Sequence, residues 1–134
     1  MSAHRIGKYP IHLGRNATAS VEPEFTGAME WFMAYGARHE PDGKEGRLVS
    51  MYTFDRPWDS WEMHPNGSEV VLCTAGRITL HQEHADGTRD TVTLAPGEYA
   101  INPPGTWHTA DVVGQATAVF ITAGLGTQNR PRTA

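Results

Sequence analysis

Cysteine, lysine and long apolar runs are what this 134-residue chain has least of. Its one cysteine, Cys73, excludes an intramolecular disulfide and fits a reducing compartment. Its two lysines, Lys8 and Lys44, and a formal net charge of -4 are the opposite of a surface built to follow phosphates, so nucleic acid is not an expected partner. Three of the nine arginines, Arg5, Arg130 and Arg132, stand near the termini, where a solvated role is expected. No apolar stretch nears the ~20 residues that span a bilayer, and residues 1–8 lack the apolar centre of a signal peptide. A cytoplasmic protein with no membrane partner is the expectation. Low-complexity tracts and internal repeats are absent, and after residue 46 no segment carries a helical period.

What is abundant is glycine and proline, 14 and 9 residues, scattered between short apolar runs. That distribution predicts many turns and many short strands in one domain. Strands are expected over 47–54, 58–64, 69–74, 77–84, 88–94, 98–101, 107–113 and 116–123. Asp86-Gly87 between two alternating runs is the clearest hairpin signal. Residues 1–28 read as an irregular arm in which 11–13 alternate well enough for a short edge strand, while the small polar residues 16–20 read as loop. Residues 31–35 are compact and aromatic, fitting a strand or a short helical turn, and 39–46 read as loop. The organisation expected is an arm over 1–28, a barrel domain over 29–124 and a loose polar tail over 125–134, with eight to ten strands in an antiparallel sandwich or barrel.

The chain centres on residues 61–76. Side chains alternate faces along a strand, so Glu62 and His64 point the same way. The turn at Pro65-Asn66-Gly67 folds the chain back, so Glu69 returns to that face. A second cluster downstream holds Gly97, Pro103, Gly105 and His108.

Together the two clusters resemble the paired motifs of the cupin superfamily. His64, Glu69 and Gly76 stand where the first motif has its second histidine, its glutamate and its closing glycine. Gly97, Pro103, Gly105 and His108 fit every spacing of the second. Glu62 stands in place of the first motif's leading histidine, and Val112 in place of the asparagine that closes the second. The resemblance implies an all-β double-stranded β-helix, the jelly-roll or cupin barrel, with the irregular N-terminal arm before it. It also implies one divalent metal ion in the cavity, held by His64, Glu69 and His108. If Glu62 joins them, the set is two histidines and two carboxylates. If it swings away, the remainder is the two-histidine, one-carboxylate face of non-heme iron sites and Glu62 is a candidate general base. Either set favours iron(II), manganese or zinc, with nickel also in range.

Parity extends the pocket to Trp58, Ser60, Val71 and Cys73, and Met51, Tyr99, Phe120, Tyr35 and Arg47 are further candidates for its wall. Trp61, Met63 and Trp107 face outward, as contact surface for the homodimer that the resemblance implies. His4, His12 and His39 are given no site role. His81 and His84, three apart on a strand, face opposite ways, so no second metal site is expected there. This fold hosts dioxygenases, isomerases, lyases and plain binding proteins. Two functions are therefore carried forward: a metal-dependent enzyme on a small organic molecule, and a non-catalytic small-molecule sensor or binding protein, with or without metal.

Overall fold

A computed structural model describes residues 1–133. Among these described residues, eleven strands form two antiparallel sheets that face each other across one core. They are β1 (Ile11–Gly14), β2 (Thr18–Val21), β3 (Arg47–Phe54), β4 (Ser60–Met63), β5 (Glu69–Ala75), β6 (Ile78–Glu83), β7 (Arg89–Leu94), β8 (Tyr99–Asn102), β9 (Trp107–Val112), β10 (Ala116–Thr122) and β11 (Gln128–Pro131). One sheet runs β2-β1-β3-β10-β5-β8 and the other β11-β4-β9-β6-β7. This is the expected all-β barrel architecture.

The alternation in the sequence decides what is buried. On β5, Val71 and Cys73 are fully buried while Val70 and Leu72 lie on the other face. On β10, Ala118 and Phe120 are buried and pair with Cys73 and Val71. Ile78, Leu80, Ala110 and Val112 complete the core from the second sheet. Gly76 closes the β5–β6 turn at φ +69, and a Cβ there would collide with the Gln115 carbonyl, so only glycine fits.

Three segments depart from expectation. Residues 31–35, read as a strand or a short helical turn, are helical and lie inside a longer helix, α1 (Met29–Arg38), which contains no proline and no β-branched residue. Helix α1 buries Trp31, which stacks on Tyr35, while Phe25 packs edge-on against Trp31, Phe32 and Tyr52. Residues 16–20, expected as loop, contribute most of β2, and β1 is therefore an inner strand between β2 and β3. The C-terminal segment, expected to be loose, forms β11 and pairs with β4. No helix among the described residues is long and apolar enough to cross a membrane.

Candidate metal centre

Register brings the four ligand-type residues together. Glu62 on β4 lies directly opposite His108 on β9, so both project from the inner face of one sheet. Glu69 on β5 faces them from the other sheet, with Asn102 and Thr122 as its lateral partners. His64 follows the end of β4, and its carbonyl accepts from the Gly105 amide at 3.0 Å. Gly105 sits at φ +78, a left-handed turn that lets the 103–105 loop reach His64.

His64 and His108 are buried, and each aims Nε2 at the same place. His64 Nε2 lies 3.2 Å from Glu69 Oε2 and 3.9 Å from Glu62 Oε2. His108 Nε2 lies 3.1 Å from Glu69 Oε1 and 3.8 Å from Glu62 Oε2. One ligand atom each from Glu62, His64 and His108 falls within 4.8 Å of the others. Glu69 is the closer neighbour of both rings. Despite these approaches, neither Nε2 meets hydrogen-bond geometry with any partner among the described residues. The remaining polar atoms are satisfied from behind. Thr127 Oγ1 donates to the Gly124 carbonyl at 2.8 Å, and so accepts from His64 Nδ1 at 2.8 Å. His108 Nδ1 faces a carbonyl, that of Thr106 at 3.4 Å. An acceptor behind each Nδ1 leaves Nε2 as the nitrogen that each ring turns to the centre, open to a metal once it gives up any proton it carries. Glu69 accepts from Thr122 at 2.6 Å and from Asn102 at 3.1 Å, and Asn102 Oδ1 accepts from Gln82 at 2.7 Å.

Burial alone would raise the Glu69 carboxyl, but His108 and His64 beside it hold it well below the usual carboxylate range. Burial alone would lower His108, but Glu62 and Glu69 raise it to about 9. The group therefore attracts cations.

The cavity above the centre measures about 830 Å³. Of the residues expected in its wall, Trp58, Ser60, Phe120 and Tyr35 line it. Val71 and Cys73 are sealed in the core beneath it. Met51 and Tyr99 point to the opposite face of their sheet, because each lies one residue out of step with its inward neighbours Ser50, Tyr52 and Ala100. Arg47 is exposed and does not line the cavity. Trp61 and Trp107 do face outward, but Arg130 lies over both indoles, at 5.1 and 4.5 Å from the ring centroids, and is held by Glu83 at 3.0 Å. Arg132, expected in solvent, binds Asp111 and the Trp58 and Ala110 carbonyls.

Helix α1 and the Glu40–Glu45 turn roof the cavity, fastened by residues that, apart from Tyr35, sequence reasoning left without a role. His12 Nδ1 meets the Tyr35 hydroxyl and Nε2 meets Asp42, both at 2.6 Å. Buried Glu22 accepts from Arg38 at 2.6 Å and meets His39 Nε2 at 2.9 Å. His12, His39 and Asp42 also bring ligand atoms within 4.8 Å of one another. Their rings, however, stack at 3.5 Å with a 13° tilt. An imidazole lone pair lies in its ring plane, so two parallel planes do not share one ion. This cluster is a latch, and its chain separations of 23 to 30 residues gave no local signal in the sequence.

The Cupin domain family model matches residues 56–124. No curated protein matches the sequence. Among solved structures, the chain is similar to Peruvianin-I, a cysteine peptidase from Thevetia peruviana latex, at 23% identity and TM-score 0.56 over 65% of this chain and 57% of that one. It is similar to an oxalate oxidase at 17% identity and TM-score 0.56, over 69% and 50%. It is also similar to an oxalate decarboxylase at 13% identity and TM-score 0.54, over 72% and 26%. The chain thus spans about half the length of the first two and a quarter of the third, and at such identities the likeness is one of fold.

Proposed function

This chain belongs to the cupin domain family, and from that premise we propose that it holds one divalent metal ion in its barrel and acts as an enzyme on a small organic molecule. The observation that carries this reading is the pair of buried Nε2 atoms on His64 and His108 with no hydrogen-bond partner. Buried polar nitrogens are rarely left so, and a shared cation, displacing any Nε2 proton, is the partner that fits two converging imidazole nitrogens beside two carboxylates. The donor spacing also fits. Bonds of about 2.1 Å place neighbouring ligands roughly 3.0 to 3.4 Å apart in octahedral or tetrahedral sites. Glu69 meets one ring with each oxygen, Oε1 to His108 at 3.1 Å and Oε2 to His64 at 3.2 Å, each separation within that range.

His64, Glu69 and His108 are the proposed ligands. Bound there, iron(II), manganese, zinc or nickel supplies Lewis-acid or oxygen-binding chemistry. Glu62 is the residue with two roles open to it. Its side chain is 37% exposed, and its Oε2 is nearly equidistant from the two Nε2 atoms. It therefore sits where it can complete the ligand set or take a proton from a bound molecule. The chemistry proposed is of dioxygenase, isomerase or lyase type. A homodimer is proposed alongside it.

Elemental analysis after reconstitution with iron(II), manganese, zinc and nickel checks the reading. Near one metal per wild-type chain is expected, with loss in His108→Ala. No metal with any of the four would overturn it. Metal without turnover of any substrate would move the chain to the binding-protein function. Glu62→Gln should keep the metal and lose activity if Glu62 is the base.

A further inference from the structure

Three buried polar atoms among the described residues lack a hydrogen-bond partner, and the metal centre accounts for only two of them. The third is Nε1 of Trp58, which lines the same cavity. The indole N–H can only donate, so no cation satisfies it. Its ring centroid lies 6.2 Å from that of His108, beside the centre. Buried tryptophan N–H groups ordinarily find an acceptor, and here none is supplied by the protein.

The wall around Trp58 is aromatic. Tyr52, Phe54 and Phe120 line the cavity with it, at centroid separations of 5.4 to 6.0 Å. Burial, with Glu62 and Glu69 nearby, raises the Tyr52 phenol, so it stays uncharged. Positive charge is scarce in this space. Arg56 is the one arginine or lysine among the lining residues, and its side chain is 83% exposed and paired with Asp55. His12 and His39 are engaged with Asp42 and Glu22. A ligand with several negative charges would find no partner beyond the metal centre, while a flat apolar body would find four rings.

We propose that the ligand is a planar aromatic molecule with one oxygen-bearing head and no more than one negative charge, oriented by a hydrogen bond from the Trp58 indole N–H to an oxygen of that head. Trp58 is thus a specificity residue. The proposal rests on the metal-centre reading for the position of the head, but the donor and the aromatic wall are independent of it. The cavity volume of about 830 Å³ lies within the range of pockets for molecules of this size and well beyond the needs of a two-carbon diacid.

The test uses the whole chain, loaded with manganese or zinc and checked by elemental analysis, with 3-hydroxy-2-naphthoate as probe. Oxalate, the diacid in the names of two structural neighbours, and lactate serve as non-aromatic chelators. Titration calorimetry should find the probe bound at least about tenfold more tightly than either. Trp58→Phe should weaken the probe about tenfold, the range of one hydrogen bond to a charged acceptor, with metal content unchanged. In the wild-type chain the Trp58 indole N–H proton should move downfield on adding the probe, a readout independent of whether the variant folds. Equal or tighter binding of oxalate or lactate would overturn the proposal, as would an unmoved indole resonance or an unaffected Trp58→Phe. If the chain takes up no metal, the preceding reading fails. The indole shift and the Trp58→Phe comparison, run on the metal-free chain, then decide this one by the same outcomes.

Discussion

Thr127 decides which nitrogen of His64 faces the cavity. Its single hydroxyl proton goes to the Gly124 carbonyl, so it accepts from Nδ1 and leaves Nε2 free. Thr127→Val removes that acceptor without touching a proposed ligand. The expected outcome is a roughly 10- to 100-fold loss of metal affinity, the usual effect of deleting a partner behind a ligand, measured by chelator competition. An unchanged affinity would mean that the bond does not orient the ring. His108 gives a second residue-scale outcome. Its pKa is raised from 6.5 to about 9 by Glu62 and Glu69. In the metal-free chain the resulting stabilisation is complete below pH 6.5 and is lost as pH rises through about 9. The melting temperature of chelator-treated protein should fall across that window, and metal loading should remove the fall. Glu62, His64 and Glu69 were legible in the sequence from alternation around one turn, and His108 only from the motif spacings that carry the family resemblance. Met51 and Tyr99 were not placed correctly, because parity needs a register and neither strand carries a ligand to count from. The free N–H of Trp58 is invisible to any pattern, since it depends on what the neighbours fail to supply.

At the scale of elements, strands with a polar and an apolar face were readable, as was exposed β7 from its Asp86-Gly87 hairpin turn, while β2 and β11 had neither signal. All four residues of β2 are exposed, and β11 has a single residue that is not. Both strands exist through ladder pairing to β1 and β4, which leaves no hydrophobic alternation behind. Helix α1 was read only as a strand or a short helical turn over 31–35, because its buried side is aromatic and compact, centred on Trp31 and Tyr35 against Phe25. The helix also carries a weak point, Gly36, where an added Cβ would meet nothing within 4 Å. Gly36→Ala should stabilise the chain by about 0.5–1 kcal/mol through the glycine penalty in helices, seen as a raised urea midpoint at constant slope. No gain would imply that the helix melts apart from the barrel.

The two sheets present different outer surfaces, and this bears on assembly. On the five-stranded sheet a row of Arg130, Trp61, Trp107, Glu83 and Arg89 crosses all the strands, with the cations lying on the indoles. That face is already covered by its own side chains, so the tryptophans that looked like contact surface are poor candidates for it. On the six-stranded sheet, the outward positions of β5, β8 and β10 are Val70, Leu72, Thr74, Tyr99, Ile101, Thr117, Val119 and Ile121, with no charge among them. Tyr99 and Ile101 are 63% and 49% exposed. The proposed homodimer is assigned to this uncharged apolar face, because such a patch is the kind of surface that associates and a two-fold axis would set it against its own copy. Ile101→Lys would set two like charges into such an interface while leaving the core and the metal centre untouched. Light scattering should then read a dimer for the wild-type chain and a monomer for the variant, with metal content equal in both. A monomeric wild type would remove the dimer, whereas a dimeric variant would move the contact off this face and back toward the tryptophan row.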